Sequence, residues 1–201
     1  MRILILTHPR SGGFSLLKYI VDELKYSNFH EPFSNLTNVE INSKLLVMDN
    51  IVVKDFPYHI ESKGYNLFDV ISKFDKIIVH YRDDDTDTAI SRTYAHTNID
   101  GIRKMHSTYK INNQWVINNK NNIKEMMGDV KKKSDIVRNL IIDGSLKTTY
   151  EGIYNDKLDI PKLLNFLGIS NPIHLDILDK RHRLQNGDIG MSNYNVKPKL
   201  I

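Results

Sequence analysis

The chain has 201 residues, 40% of them hydrophobic and 26% charged, an ordinary balance for one globular domain with a buried core. Lys and Arg exceed Asp and Glu by 28 − 24 = 4; this suits an anionic ligand but is too small to demand nucleic acid as a partner. Cysteine is absent, which excludes disulfides, thiolate-ligated metals and a cysteine nucleophile, and no apolar run reaches the roughly 18–20 residues that span a bilayer.

In chain order, Arg2–Thr7 is a short continuous apolar run stopped by a turn, the pattern of a buried strand. Its ILIL core is too short for a signal sequence, so the expected location is cytoplasmic. Leu16, Leu17, Ile20, Val21 and Leu24 fall on one helical face. Ile51–Lys54 reads as a second strand stopped near Pro57, and Leu67, Phe68, Ile71 and Phe74 as a helix. Lys76–Tyr81 is a third, β-branched strand, followed by a helix from about Asp85 to His96 whose acidic start suits the helix dipole. A less regular helical region covers roughly Asn112 to Ile142; its Asn- and Lys-rich part keeps apolar residues at helical spacing. Leu146–Tyr150 is a fourth candidate strand. Pro161 opens and Gly168 closes a short helix, and the tail from about Lys180 is polar and irregular.

Strands alternating with helices predict a three-layer α/β domain over residues 1–201, with a mostly parallel central sheet flanked by helices. Ligands of such sheets bind beyond the carboxyl ends of the strands, so the segments after Thr7, Lys54 and Tyr81 are the places to search.

The first of these is His8-Pro9-Arg10-Ser11-Gly12-Gly13-Phe14-Ser15. A helix start presents unpaired N–H groups and a positive dipole end. Gly12 and Gly13 allow close backbone approach, Ser11 and Ser15 offer hydroxyls, and Arg10 offers a forked cation for phosphate or sulfate. The competing reading is a plain strand-to-helix turn. Neither a G-x-x-x-x-G-K-[ST] loop nor a G-x-G-x-x-G fingerprint is present.

Thr7-His8-Pro9-Arg10-Ser11-Gly12 resembles the 5′-phosphosulfate loop of sulfotransferases that use 3′-phosphoadenosine 5′-phosphosulfate (PAPS). That family follows its Pro-Lys/Arg-Ser-Gly with two Ser/Thr residues, where this chain has Gly13 and Phe14. A second resemblance follows the third strand: Arg82 and, nine residues on, Ser91 match the family's pair for the cofactor's 3′-phosphate. Taken alone, Arg82 reads as a salt bridge to the adjacent aspartates and Ser91 as an interior helix residue. Asp83, Asp84 and Asp85 read as helix capping. Thr149-Tyr150-Glu151, Leu163–Gly168 and Met191-Ser192-Asn193-Tyr194 also resemble family segments, so the likeness runs along nearly the whole chain.

The resemblance implies a P-loop-like sulfotransferase fold, PAPS as sulfuryl donor, 3′-phosphoadenosine 5′-phosphate (PAP) as product, and no required metal. It gives Arg10 the leaving-group charge, and Arg10, Ser11, Gly12, Gly13, Phe14, Ser15, Arg82 and Ser91 the cofactor. His30-Glu31-Pro32-Phe33 resembles the segment that supplies a catalytic carboxylate in bacterial members. Aromatic neighbours are expected to desolvate Glu31 and raise its pKa; His30 is the alternative base. Lys54 is a candidate sulfuryl contact, and Lys180, Arg181 and Arg183 candidate cations over the 3′-phosphate.

The expected function is therefore sulfuryl transfer to a hydroxyl of a small molecule or saccharide, with neither nucleic acid nor membrane as partner. The alternatives are a P-loop-type phosphotransferase and a non-catalytic nucleotide-binding relative. Tyr58, His59, Tyr65, Tyr94, His96, Tyr109 and Trp115 are the aromatic candidates for an acceptor site. Oligomeric state has no signature in the sequence.

Overall fold

The computed structural model describes residues 1–96, 98–99, 102–103 and 113–178. Its centre is strand β1, Arg2–Thr7, in which Ile3, Leu4, Ile5 and Leu6 are fully buried. Burial on both faces explains why this strand is a continuous apolar run instead of an alternating one. After β1 the chain enters helix α1, Gly13–Leu24, and returns as strand β2, Ser27–His30. Strand β3, Ile51–Asp55, leads into helix α2, Pro57–Ser62, and helix α3, Leu67–Ile71. Strand β4, Lys76–Tyr81, precedes helix α4, Asp85–His96. A long helix α5, Lys120–Arg138, follows, then strand β5, Leu146–Thr149, and helices α6, Tyr150–Tyr154, and α7, Ile160–Leu167.

These five strands form one parallel sheet in the order β2-β3-β1-β4-β5. Successive side chains of β1 serve opposite cores. Leu4 and Leu6 pack with Phe33, Val53, Ile60, Val70 and Val79 on one face. Ile3 and Ile5 pack with Leu16, Leu17, Ile20, Leu163 and Leu167 on the other. The expected α/β architecture with helices on both faces is thus the observed one. Because β3 and β4 flank β1, the loop leaving β1 stands at the switch point of the sheet.

Strand β2 is the main departure from the sequence reading. Ser27–His30 is short, largely exposed and polar, and it is a strand because it pairs in register with β3, from Ser27 beside Ile51 to His30 beside Lys54. Edge position removes the demand for an apolar pattern. Helix α2 was also not expected; Pro57 stands at its first turn, where a missing N–H costs nothing. The expected fourth strand ends at Thr149, whose hydroxyl accepts from Gly152 N–H and starts α6 at Tyr150. Lys180, Arg181, Arg183, Tyr109 and the Met191–Tyr194 segment lie outside the described residues.

Candidate active site

The loop after β1 is held by neighbours on three sides. The Thr7 and Ser11 hydroxyls are hydrogen-bonded to each other in a buried position. His80, fully buried on β4, donates from Nε2 to the Ser11 carbonyl at 2.9 Å. A carbonyl only accepts, so the proton is on Nε2, and in the neutral ring Nδ1 accepts from the Thr148 hydroxyl at 2.9 Å. The Tyr154 hydroxyl donates to the Gly12 carbonyl at 2.9 Å. Gly12 is left-handed (φ 88°), and a Cβ there would lie 2.7 Å from the Tyr154 ring and 2.8 Å from the Tyr150 ring. Both backbone and space therefore require glycine at this position.

Gly12 is the N-cap of α1 and brings no side-chain cap. Ser15 N–H bonds the Gly12 carbonyl at 3.1 Å, so the N–H groups of Gly13 and Phe14 are the ones a helix start can offer an anion. Gly13 stands where a hydroxyl side chain was expected. A Cβ there would meet Thr7 Cγ2 at 3.0 Å, Thr7 Oγ1 at 3.2 Å and Lys54 Cε at 3.4 Å. Thr7 and Lys54 occupy the room a Ser or Thr would need. Phe14 is 56% exposed and meets the His30 ring edge-on at 5.0 Å. Ser15 is partly exposed in the same turn, whereas the Ser11 hydroxyl is committed to Thr7.

Arg10 adopts φ 65°, a sparsely populated region for a side-chain-bearing residue. Its Nε donates to the Ser91 hydroxyl on α4 at 2.8 Å. Two residues 81 positions apart, one in each candidate phosphate segment, are thereby joined.

Arg82 is 5% exposed and held from several sides. Its N–H donates to His8 Nε2 at 3.0 Å, its carbonyl accepts from Arg138 at 2.6 Å, and its guanidinium lies 4.3 Å from the Tyr150 ring centre. Nη2 pairs with Asp87 at 2.8 Å, while the buried Nε makes no hydrogen bond among the described residues and has Glu151 at 3.8 Å. The acidic run is largely consumed within the fold. Asp84 accepts from Asp87 N–H as a helix cap, and Asp85 pairs with Arg138. The carboxylate beside Arg82 is Asp87, one turn beyond the expected capping residues. His8 must be neutral to accept from Arg82 N–H, and burial lowers its pKa from 6.5 to about 4.

The candidate bases sit beyond β2 and β3. Glu31 follows β2 with φ 53°, and its N–H donates to the Lys54 carbonyl at 2.7 Å. Lys54, 4% exposed, places Nζ 2.6 Å from Glu31 Oε1 and 3.7 Å from the Phe56 ring centre. His30 Nε2 lies 3.3 Å from the same carboxylate oxygen. The expected rise in the Glu31 pKa is not found. Burial pushes it upward, but the charge and hydrogen bond of Lys54, with His30 and His59 adding, hold it below the usual carboxylate value. Burial holds the Lys54 ammonium below its ordinary value, with Glu31 opposing.

Sequence reasoning missed Asp55. Fully buried, it accepts from the N–H groups of Phe33 and Phe56 and pairs with His59 Nδ1 at 2.8 Å. It thereby ties the Glu-Pro-Phe segment to the end of β3. An ionisable residue ending an apolar strand and followed by Phe-Pro was the available signal. Of the aromatic candidates, Tyr58 stacks on Phe56 and touches His59, Tyr65 packs on Phe33, and Tyr94 packs on Trp115.

Among the described residues no helix is long and apolar enough to cross a membrane, and no group of three or more His, Asp or Glu could hold a metal ion. No protein-family model and no curated protein matches the chain. Among solved structures, mouse sulfotransferase SULT7A1 complexed with PAP is similar at 17% identity, with a TM-score of 0.48. The likeness covers 85% of this chain and 59% of that one.

Proposed function

We propose that the protein is a sulfotransferase that moves a sulfuryl group from PAPS to a hydroxyl of a small molecule or saccharide. The observation that carries the reading is the Arg10–Ser91 hydrogen bond, 2.8 Å, which unites the two segments whose residues resemble the family's phosphate grips. The fit to a doubly phosphorylated nucleotide has local support as well. Gly12 brings no side-chain cap to the start of α1, and the buried Arg82 Nε has no hydrogen-bond acceptor among the described residues.

In this reading the uncapped start of α1, with Ser15, holds the 5′-phosphate, and Arg82 and Ser91 hold the 3′-phosphate. PAPS supplies an activated sulfur–oxygen bond to the 5′-phosphate. The acceptor oxygen bonds to sulfur as that bond breaks, the electron pair leaves on the phosphate oxygen, and the acceptor proton passes to Glu31. Arg10 offsets the charge on the leaving oxygen. Lys54 holds Glu31 ionised, and turning its ammonium toward the departing oxygen would remove that restraint and strengthen Glu31 as a base. His30 is close enough to share the proton.

Calorimetry with PAP tests the reading. Binding is expected, weakened by Arg10→Ala and by Arg82→Ala. An absence of binding at millimolar PAP overturns it, and tighter binding of ATP·Mg would favour the phosphotransferase. Binding without transfer to any acceptor in a broad screen would favour a non-catalytic nucleotide-binding relative.

A further inference from the structure

We infer that Arg138, at the end of α5, is a positioning residue for Arg82 and so for the 3′-phosphate subsite; the inference rests on the cofactor reading above. Arg138 belongs to neither motif. Its Nη2 donates to the Arg82 carbonyl at 2.6 Å and the Asp83 carbonyl at 3.0 Å. The same nitrogen reaches Asp85 Oδ1 at 2.7 Å, and Nη1 reaches Asp85 Oδ2 at 3.0 Å and Asp135 Oδ1 at 3.4 Å. Ser134, one turn earlier, also donates to Asp85 Oδ1 at 2.8 Å.

The consequence is geometric. Arg82 is the first residue after β4, where no strand partner continues to fix its backbone. His8 pins its N–H and Arg138 pins its C=O. With both ends of the residue held, the side chain starts from a fixed backbone, and its guanidinium lies 4.3 Å from the Tyr150 ring centre. Arg138 also takes up Asp85, removing one acidic group from competition for Arg82. A planar fork is needed to hold the Asp85 carboxylate through both terminal nitrogens while Nη2 also meets two carbonyls. Lysine has the charge and reach but not this shape.

The test separates positioning from general stability. PAP and adenosine 5′-monophosphate differ by the 3′-phosphate, so the ratio of their dissociation constants reports that subsite alone. In wild type the ratio should favour PAP. Arg138→Met should reduce it about tenfold, the loss of one charge-assisted contact's worth of alignment, while the dissociation constant of adenosine 5′-monophosphate stays within about twofold. Arg138→Lys should recover less than half of the loss, and it decides the matter if Arg138→Met does not fold. A ratio unchanged in the variants, or an equal loss for both ligands alongside a lower melting temperature, overturns the positioning role. A wild-type ratio near one would instead overturn the cofactor reading, and the positioning role with it.

Discussion

Lys54 Nζ and Glu31 Oε1 are 2.6 Å apart at the carboxyl ends of two neighbouring parallel strands, one side chain almost fully buried and the other partly exposed. An ion pair in that position keeps a carboxylate ionised at neutral pH and at the same time masks it. Glu31→Gln keeps the shape and hydrogen-bonding capacity of the side chain but cannot take a proton. Steady-state turnover should fall by at least about 100-fold, the size of a general-base contribution. PAP affinity, measured by calorimetry, should stay nearly constant. Turnover at the wild-type level would move the base to His30.

Asp87 is the counter-ion of Arg82, and a phosphate held there on the proposed function would compete with it. Asp87→Asn removes the competing charge while leaving a polar side chain in the first turn of α4. PAP binding should tighten several-fold in calorimetric titration. Weaker binding would show that Asp87 orients Arg82 instead of competing for it.

Gly12 and Gly13 should respond differently to alanine. Gly12→Ala forces a left-handed alanine, about 1–2 kcal/mol, and drives Cβ into the rings of Tyr150 and Tyr154. The total loss in urea denaturation should exceed about 2 kcal/mol. Gly13 needs no unusual backbone, and its tightest neighbour is the Thr7 methyl at 3.0 Å. Gly13→Ala should cost about 1 kcal/mol, and Thr7→Ser should recover part of it in a double-mutant cycle. Strict additivity would remove Thr7 as the cause.

The buried His8 makes stability depend on acid. Its folded pKa is about 4 against 6.5, so below 6.5 the unfolded chain takes the proton first. The contribution is complete above pH 6.5 and is lost progressively as pH falls to about 4, amounting to about 3 kcal/mol. Urea midpoints from pH 7 to pH 4 should fall more steeply for wild type than for His8→Gln. Equal slopes would mean that His8 is not the acceptor of Arg82 N–H.

The strands β1 and β4 were legible because burial on both faces demands an uninterrupted apolar run, which Ile3–Leu6 and Ile77–Val79 provide. Strand β2 was not, since Ser27–His30 takes its conformation from pairing with β3. At the candidate site, Arg10, Glu31, Arg82 and Ser91 were singled out by resemblance to family segments, and the structure joins Arg10 to Ser91 and Glu31 to Lys54. The residues that hold them left little signal in the sequence. Asp55 acquires its role from the N–H of Phe33, His80 from the carbonyl of Ser11, and Arg138 from the carbonyl of Arg82. Such partners are far apart in sequence, and a backbone carbonyl leaves no trace in composition. The Glu31 pKa was misjudged for the same reason, because Lys54 lies 23 residues away.

The chain of contacts from Thr148 through His80 to Ser11 gives the anion loop its shape before any ligand arrives. A receptor built in advance loses little conformational freedom when it is filled. On the proposed function, nucleotide capture at this loop is a docking event and not a folding event. Its heat-capacity change should match the small surface the ligand covers, without the larger contribution that accompanies the ordering of a peptide segment.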